Sequence, residues 1–313
     1  MSVNKQYYQV RLGAAGAYAA DGRANNWIGV NWNFDFDLSE NLVLEREAFK
    51  RAMRPVFREQ YPDKSKVAAG LACGMLYTLC RDMKPGDIIL SPDGQGEYHV
   101  GTVTGHYFYV EGEEIAHRRR VDWYAGTIAR AEMSQALRNS TGSIGTVSNV
   151  TKHGPEIEAL IAGETKPAII ANDEVIEDPT VFAMEAHLEE FLVRNWSQTE
   201  LGRSYDIYEE DGEMVGRQYP SDTGPMDILA ISKDRKELLV VELKRGRASD
   251  AVVGQILRYM GYVKNDLAED GQSVRGVIIA LEDDLRLSNA LSMTQGIDFY
   301  RYQVSFRLQK GDV

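Results

Sequence analysis

The sequence predicts two domains, an α+β N-terminal domain with a small β-barrel and an α/β C-terminal domain. A length of 313 residues is enough for two separate cores. In the C-terminal half, apolar runs of strand length alternate with amphipathic runs of helix length, which is typical of a sheet covered by helices. In the N-terminal half, short strands separated by glycine-containing turns indicate a small barrel.

A polar segment punctuated by Pro167 and Pro179 separates the two halves. Such segments mark domain boundaries because few contacts cross them. We therefore predict an N-terminal domain at residues 1–162, a linker at 163–178 and a C-terminal domain at 179–313.

The C-terminal domain is predicted to follow the order α-β-β-β-α-β-α-β, a central mixed sheet with helices on both faces. Its first helix begins at Pro179, a residue suited to the first turn, and runs to about residue 195. Asp211-Gly212 is a strong hairpin dipeptide between two short strands. The later elements are strands at 226–231, 238–244, 274–281 and 297–308 and helices at 250–267 and 284–293.

The N-terminal domain begins with an alternating strand at residues 7–12. Helices are predicted at 42–57 and 65–81, followed by strands at 86–90, 98–103 and 107–110. The loop at 140–145 consists of small residues that let backbone N–H groups approach an anion, but it lacks the spacing of a phosphate-binding loop. An ordinary surface loop is the simpler interpretation.

A Glu-x-Lys pair, Glu242 and Lys244, ends an apolar strand, and Asp227 begins the neighbouring apolar strand. Because side chains alternate along a strand, Glu242 and Lys244 share one face. Carboxylate oxygens are the ligands that Mg²⁺ prefers, and a lysine beside them can orient water. The pattern therefore predicts a metal-dependent hydrolytic site at this end of the sheet.

The residues around this pair resemble the catalytic core of PD-(D/E)XK nucleases, and specifically the C-terminal nuclease domain of the NucS/EndoMS mismatch-endonuclease family. The resemblance covers roughly the last 130 residues, and it implies a restriction-endonuclease-like fold. The segments that carry it are MEAHLEEFL at 184–192, GPMDIL at 224–229, VVELKRGRA at 240–248 and VGQILRYMGY at 253–262.

The resemblance also implies roles for individual residues. Asp227, Glu242 and Glu185 would bind Mg²⁺ or Mn²⁺, and Lys244 would position the attacking water. Gln255 and Tyr259 would orient the scissile phosphate or a nearby water. Outside this site, local basic residues are the candidates for contact with DNA, namely Arg245 and Arg247.

The N-terminal half is similar to modules attached to Mrr-type restriction nucleases, and its barrel portion to PUA/EVE-like folds. This similarity implies a reader domain that recognises a modified base or a nucleotide. The candidate contact residues are basic or aromatic, namely His117, Arg118, Arg119, Arg120, Trp123, Trp27 and Trp32. The alternative is a strand edge with solvated arginines and tryptophans packed in the core.

The net charge of −12 is distributed unevenly. Residues 1–165 carry 18 Lys and Arg against 20 Asp and Glu, and residues 166–313 carry 17 against 27. A broad basic surface is therefore excluded, and contact with DNA depends on local clusters. The two cysteines, the absence of an apolar run of membrane-span length and a polar start predict a reduced, cytoplasmic protein with no membrane partner.

These features predict a Mg²⁺-dependent DNA endonuclease that senses modified DNA in restriction or defence. Two alternatives remain open: a repair nuclease for mismatched or branched DNA, and an effector nuclease activated by a nucleotide signal. One site of this kind cuts one strand, so double-strand cleavage implies a homodimer or repeated nicking.

Overall fold

The computed structural model describes residues 5–142, 145–163, 188–210 and 212–302. The chain divides into two compact units, Met1–Ile170 and Ala171–Val313. The division falls inside the segment 163–178 that we predict as the linker. The start of the predicted first helix of the C-terminal domain, including Glu185, lies outside the described residues. No helix within the described ranges is long and apolar enough to cross a membrane.

The N-terminal unit is built on one six-stranded sheet in the order β2-β5-β4-β3-β1-β6. The β1–β3 pair is parallel and the other pairs are antiparallel. The strands are β1 Tyr7–Val10, β2 Trp27–Val30, β3 Ile88–Pro92, β4 Glu97–Tyr109, β5 His117–Ala129 and β6 Val147–Asn149.

The described residues of this unit form five α-helices, and two of these helices bury long apolar faces. In the second helix, Phe49, Met53 and Phe57 fall on one side and are buried in the core. In the third, the Ser65 hydroxyl caps the first turn by accepting the Ala68 N–H. The helices are α1 Ala19–Ala24, α2 Arg46–Gln60, α3 Lys66–Tyr77, α4 Gln135–Thr141 and α5 Gly154–Ile161.

The predicted small barrel is not confirmed. Among the described residues the sheet is an open path whose outer strands, β2 and β6, do not pair with each other. The strands predicted at 98–103 and 107–110 are one long strand, β4. Gly105, in the gap between the two predicted strands, lies where the register between β4 and β5 shifts between Val103 and Tyr107. A β-bulge at this position lets the strand continue.

The C-terminal unit has the predicted mixed sheet, in the order β10-β11-β12-β13-β14, with β7 also pairing with β11. Pairing is antiparallel from β10 to β12 and parallel from β12 to β14. The expected hairpin around residues 211–212 is the short antiparallel pair β8–β9. The strands are β7 Tyr205–Ile207, β8 Glu209–Glu210, β9 Glu213–Met214, β10 Arg217–Ser221, β11 Gly224–Ser232, β12 Glu237–Arg247, β13 Ser273–Glu282 and β14 Ile297–Arg301.

The described helices of this unit are α6 (residues 188–194), α7 Ala251–Tyr262 and α8 Leu285–Ser292. Alternate residues of β12, including Val241 and Leu243, belong to an apolar core with Trp196 and Ile207. The opposite face carries Glu242. Helix α7 approaches the sheet closely at Gly276 of β13, where a side chain would collide with Ile256 and Met260. This close approach brings α7 beside the end of β12.

Candidate active site of the C-terminal unit

Two carboxylates lie opposite each other on neighbouring strands. Ile228 of β11 pairs with Val241 of β12 in antiparallel register. One step further along that register brings Asp227 opposite Glu242. Directly opposed residues on one face of an antiparallel pair have Cβ atoms about 4.5–5.5 Å apart. The register of the two strands therefore places two negatively charged side chains next to each other.

Asp227 is fixed by hydrogen bonds to each of its carboxylate oxygens. Its Oδ2 accepts the backbone N–H of Leu243 at 2.8 Å, and its Oδ1 accepts the side-chain amide of Gln218 at 3.1 Å. Gln218 has a left-handed backbone with a φ of 50°. A non-glycine residue in this region is held there by its surroundings, at a cost of about 1–2 kcal/mol.

A chain of hydrogen bonds runs from Glu242 across to α7. Glu242 is 3% exposed, and its Oε1 accepts the Lys244 ammonium at 2.7 Å. Lys244 also donates to Gln255 Oε1 at 3.2 Å, and the Gln255 amide donates to the Tyr259 hydroxyl at 3.3 Å. The Tyr259 hydroxyl donates to the carbonyl of Pro225 at 3.1 Å. The structure thus brings Asp227 together with the four residues linked by these hydrogen bonds. All five residues were predicted from the sequence.

The electrostatics of the site favour a bound cation. Burial, reinforced by the nearby charge of Glu242, raises the pKa of Asp227 to about 7, although the Leu243 N–H opposes the shift. Two carboxylates forced together in a partly desolvated place repel each other, and a divalent cation relieves the repulsion. Carboxylate and carbonyl oxygens are also the donor type that Mg²⁺ and Mn²⁺ prefer. The residues present therefore fit the predicted metal.

A third carboxylate, that of Glu189 of α6, is linked to the site through Gln218. We did not predict this residue from the sequence. Its Oε2 accepts the Gln218 amide at 2.6 Å, the same nitrogen that donates to Asp227. Arg217 binds the other oxygen of Glu189. The charge of Glu189 contributes to the raised pKa of Asp227. The sequence offered one signal: Glu189 is four residues, about one helical turn, after Glu185.

The predicted three-carboxylate metal cluster lies only partly within the described residues. Over residues 5–142, 145–163, 188–210 and 212–302, no group of three or more His, Cys, Asp or Glu side chains is placed to hold one ion. The predicted third ligand, Glu185, lies outside the described residues. Of the predicted DNA-contacting arginines, Arg247 is exposed and pairs with Glu282 at 3.5 Å. The side chain of Arg245 is outside the described part of the chain.

Three of the predicted reader residues are core residues of the N-terminal unit. His117, Arg119 and Trp27 are at most 3% exposed. His117 Nε2 bonds the Phe34 carbonyl at 2.8 Å, and the Arg119 guanidinium donates to three backbone carbonyls, those of Leu79, Cys80 and Gly105. The polar atoms of His117 and Arg119 thus bond protein groups rather than solvent, and the burial of all three residues favours the alternative prediction of side chains packed in the core.

The other predicted reader residues are partly exposed but engaged. Arg118 lies over the Trp27 ring at 4.1 Å and pairs with Glu113. Arg120 is exposed and lies over the Phe108 ring at 4.8 Å. The Trp123 indole donates to the Gly22 carbonyl at 3.0 Å. Trp32 packs against the core from a half-buried position.

Comparison with known proteins follows the division into two units. Residues 184–306 match the family model described as the endonuclease NucS C-terminal domain. The C-terminal unit resembles endonuclease NucS. The NucS-like segment (residues 184–306) contains the whole candidate site, and the resemblance predicted from the sequence is confirmed there. Residues 8–151 match a different family model, a domain of unknown function (DUF8426).

The relatives show the same partial coverage. Endonuclease NucS of Methanocaldococcus jannaschii is 32% identical over 121 residues, which is 39% of this chain and 41% of the relative. Endonuclease NucS of Pyrococcus furiosus is 29% identical over 117 residues, which is 37% and 39% of the two chains. The chain therefore spans about two fifths of the length of these curated relatives.

Solved structures give weaker likenesses. A repair endonuclease from Pyrococcus abyssi has a TM-score of 0.31 at 15% identity, covering 70% of this chain and 67% of the other. An EndoMS–dsDNA2 complex has a TM-score of 0.32 at 16% identity, covering 72% and 68%. The MspJI restriction endonuclease bound to a 27-mer oligonucleotide has a TM-score of 0.23 at 9% identity, covering 76% and 60%. These scores are too low to carry an argument.

Proposed function

We propose that this protein is a metal-dependent DNA endonuclease whose C-terminal unit hydrolyses phosphodiester bonds. The observation that carries the proposal is the convergence of Asp227, Glu242, Lys244 and Gln255 at one end of a buried sheet, inside the NucS-like segment. A buried carboxylate pair beside an ammonium is costly for a structural role alone, because burial penalises each charge.

The metal would be held by Asp227, Glu242 and the backbone carbonyl of Leu243. When bound, Mg²⁺ or Mn²⁺ supplies a Lewis acid for the phosphoryl oxygen and lowers the pKa of a bound water. Glu185 is the candidate for an additional ligand, direct or through water. The raised pKa of Asp227 means that its ionised form is disfavoured before the metal arrives, so proton loss and metal binding are coupled.

Lys244 has the position required to handle the attacking water. Its ammonium is held by Glu242 on one side and Gln255 on the other, which fixes its direction and leaves its third N–H for water or a phosphate oxygen. A positioned positive charge stabilises the charge that develops on phosphate in the transition state. The Tyr259 hydroxyl accepts a hydrogen bond from the Gln255 amide and donates one to the Pro225 carbonyl. These bonds fix the positions of Tyr259 and Gln255 at this end of the site.

Among the possible substrates, we favour mismatched or branched DNA and hence a role in repair. Residues 184–306 match the model of the endonuclease NucS C-terminal domain, and curated relatives of this chain are named endonuclease NucS. The sequence resemblance likewise points to the mismatch-endonuclease family. Restriction or defence with sensing of modified DNA is the second candidate, because the N-terminal unit matches a family model other than the NucS one. In either role, cleavage of both DNA strands would require a homodimer or successive nicks.

The test is cleavage by the full chain of matched 5′-labelled duplexes that are fully paired, mismatched or branched, and of plasmids with and without base modification. Each reaction is run with Mg²⁺, with Mn²⁺ and with EDTA. We expect cleavage with a metal ion, none with EDTA, and a preference for mismatched or branched DNA. Preference for modified plasmid would replace repair by restriction. Undiminished cleavage in EDTA, or no cleavage of any DNA by a folded protein, would contradict the proposal itself.

A further inference from the structure

Gln218 lies in β10 with a backbone conformation that is unusual for a strand. The residues on either side, Arg217 and Tyr219, both pair with β11, and the register between them leaves Asp227 as the residue opposite Gln218. The φ of Gln218 is nevertheless 50°, in the left-handed region, whereas a residue of an antiparallel strand has a φ of about −140°. The departure from strand geometry thus occurs at the residue of β10 that stands opposite Asp227.

Burial in the core does not account for this conformation, because Gln218 is exposed. A left-handed backbone is sterically unfavourable for residues other than glycine, and it persists only where the surroundings determine it. The Gln218 side chain hydrogen-bonds to two residues of the site, Glu189 and Asp227. These two hydrogen bonds are interactions that can hold the backbone in place.

The Gln218 amide joins two carboxylates without adding a charge. Its Nε2 donates to Glu189 Oε2 at 2.6 Å and to Asp227 Oδ1 at 3.1 Å. An amide nitrogen has two N–H groups, one for each carboxylate. The reverse orientation of the amide would place its oxygen against two carboxylate oxygens, which repel it. The two acidic side chains are therefore connected by a neutral donor of fixed orientation.

Gln218 completes a pair of hydrogen bonds that hold Asp227 at both carboxylate oxygens. The other bond is from the Leu243 backbone N–H to Oδ2, at 2.8 Å. Together the two bonds fix the rotation of the carboxylate. An ionised carboxylate has about four lone-pair sites, so a site on each oxygen remains for a cation. Partners that orient a metal ligand in this way contribute about 10–100-fold to metal affinity.

We propose that Gln218 is a positioning residue of the nuclease site, and that its strained backbone holds the amide between Glu189 and Asp227 and so orients the Asp227 carboxylate for the metal ion. The inference rests on the proposed metal-dependent function and adds to it a residue that orients a metal ligand. Glycine would adopt the same backbone conformation without steric cost, but it has no amide. Glutamine at this position therefore lowers stability and orients Asp227.

The test measures metal binding and stability separately, on the full chain without DNA. Titration calorimetry gives the affinity for Mn²⁺, and the binding assigned to the site is the binding that Asp227→Asn loses. Urea unfolding in EDTA gives stability. Gln218→Met removes the amide and keeps the strained backbone, whereas Gln218→Gly removes both.

The matched controls are Arg235→Met and Arg235→Gly. Arg235 is an exposed residue of the turn between β11 and β12 and has a φ of 61°, so it carries the same kind of backbone strain in the same unit. At both positions, the glycine variant should unfold at a higher urea concentration than the methionine variant, because glycine tolerates a positive φ.

We expect Gln218→Met and Gln218→Gly each to weaken Mn²⁺ binding about tenfold, and both Arg235 variants to bind Mn²⁺ as the native protein does. If one Gln218 variant fails to fold, the other decides the question. Metal affinity that follows stability, with Gln218→Gly binding more tightly than Gln218→Met, would overturn the positioning role.

The same measurements separate this inference from the proposed function. Native Mn²⁺ affinity in both Gln218 variants, with metal-dependent cleavage by the native protein, would overturn the role of Gln218 and leave the nuclease proposal standing. A native protein that neither binds Mn²⁺ nor cleaves DNA would overturn both.

Discussion

Asp227 is expected to make the stability of the metal-free protein dependent on pH. Its pKa is raised by burial and by Glu242 to about 7 in the folded state, against about 3.9 in an unfolded chain. The unfolded state therefore loses this proton first as pH rises, and the folded state is progressively destabilised between about pH 4 and pH 7. Linkage sets an upper limit of about 4 kcal/mol for this loss.

We expect Asp227→Asn in EDTA to be more stable than the native protein at pH 8, and the difference to shrink towards zero near pH 4. Urea unfolding at both pH values measures it. Added Mg²⁺ should stabilise the native protein at pH 8 but not the variant. Asp206→Asn, at an exposed aspartate of β7, is the control and should show neither effect. If Asp227→Asn and the native protein showed equal pH dependence, the pKa of Asp227 would not be raised in the folded protein.

Lys244 and Glu242 are expected to be needed for cleavage but not for folding. Replacing either residue removes a charge that acts at the phosphate, and in such sites one group contributes about 3–4 kcal/mol, or 10²–10³-fold in rate. We predict this loss for Lys244→Ala and Glu242→Gln in single-turnover cleavage, with near-native binding of DNA. The exposed residues Lys236 and Glu213 supply matched controls, Lys236→Ala and Glu213→Gln, which should cleave normally. Native rates in the first pair would remove both residues from the mechanism.

Glu189 is expected to act as a positioning residue through Gln218 and Asp227. Glu189→Gln should raise the Mg²⁺ concentration required for half-maximal cleavage and lower the rate about tenfold, because the amide cannot hold the Gln218 side chain in the same way. Glu190→Gln, the adjacent residue of α6, pairs instead with Arg194 and is the matched control. A rate loss without any change in the Mg²⁺ requirement would assign Glu189 a purely structural role.

Helix α7 carries Gln255 and Tyr259, so its distance from the sheet controls that side of the site. Gly276→Ala would place a Cβ 2.7 Å from the Met260 sulfur and 2.9 Å from Ile256 Cδ1, which pushes α7 away. We predict a loss of about 1–2 kcal/mol in the free energy of unfolding and a several-fold lower cleavage rate.

Gly261→Ala is the control within the same helix. No atom lies within 4 Å of the added Cβ apart from its chain neighbours and the backbone of its own helix, so the substitution should raise stability by about 0.5–1 kcal/mol through helix propensity and leave cleavage unchanged. If Gly276→Ala were as stable and active as the native protein, the close packing of α7 on β13 would not be what positions the site.

The two units have separate apolar cores, which predicts that each folds without the other. Residues 171–313 expressed alone should unfold cooperatively and cleave DNA in Mg²⁺. Because residues 166–313 carry 27 acidic against 17 basic residues, this fragment should bind DNA weakly and lose activity steeply as salt rises. Cleavage at 50 and 200 mM NaCl, compared with the full chain, measures the contribution of the N-terminal unit. An unfolded fragment would refute the independence of the units.

Local sequence pattern was enough to predict that the candidate site residues lie together. Glu242 and Lys244 are two residues apart on one strand, and β11 and β12 are joined by a short connection, so their register brings Asp227 opposite Glu242. Gln255 and Tyr259 are four apart and therefore share a face of α7. Each of these relations is set by a short stretch of chain, which is why the mixed sheet and the NucS resemblance were both predictable.

Only the tertiary structure decided which polar residues are buried and which distant residues meet. His117 and Arg119 lie on the inward face of β5, where the backbone carbonyls of Leu79 and Cys80, in the helical segment Thr78–Asp82, accept hydrogen bonds from Arg119. From the sequence, the basic run at residues 117–120 was instead a candidate for contact with nucleic acid. Glu189 and Asp227 are linked through Gln218, although the two acidic residues are far apart in sequence. Local periodicity fixes the face that a side chain occupies, whereas the partner across a sheet or cleft depends on long-range packing of the whole unit.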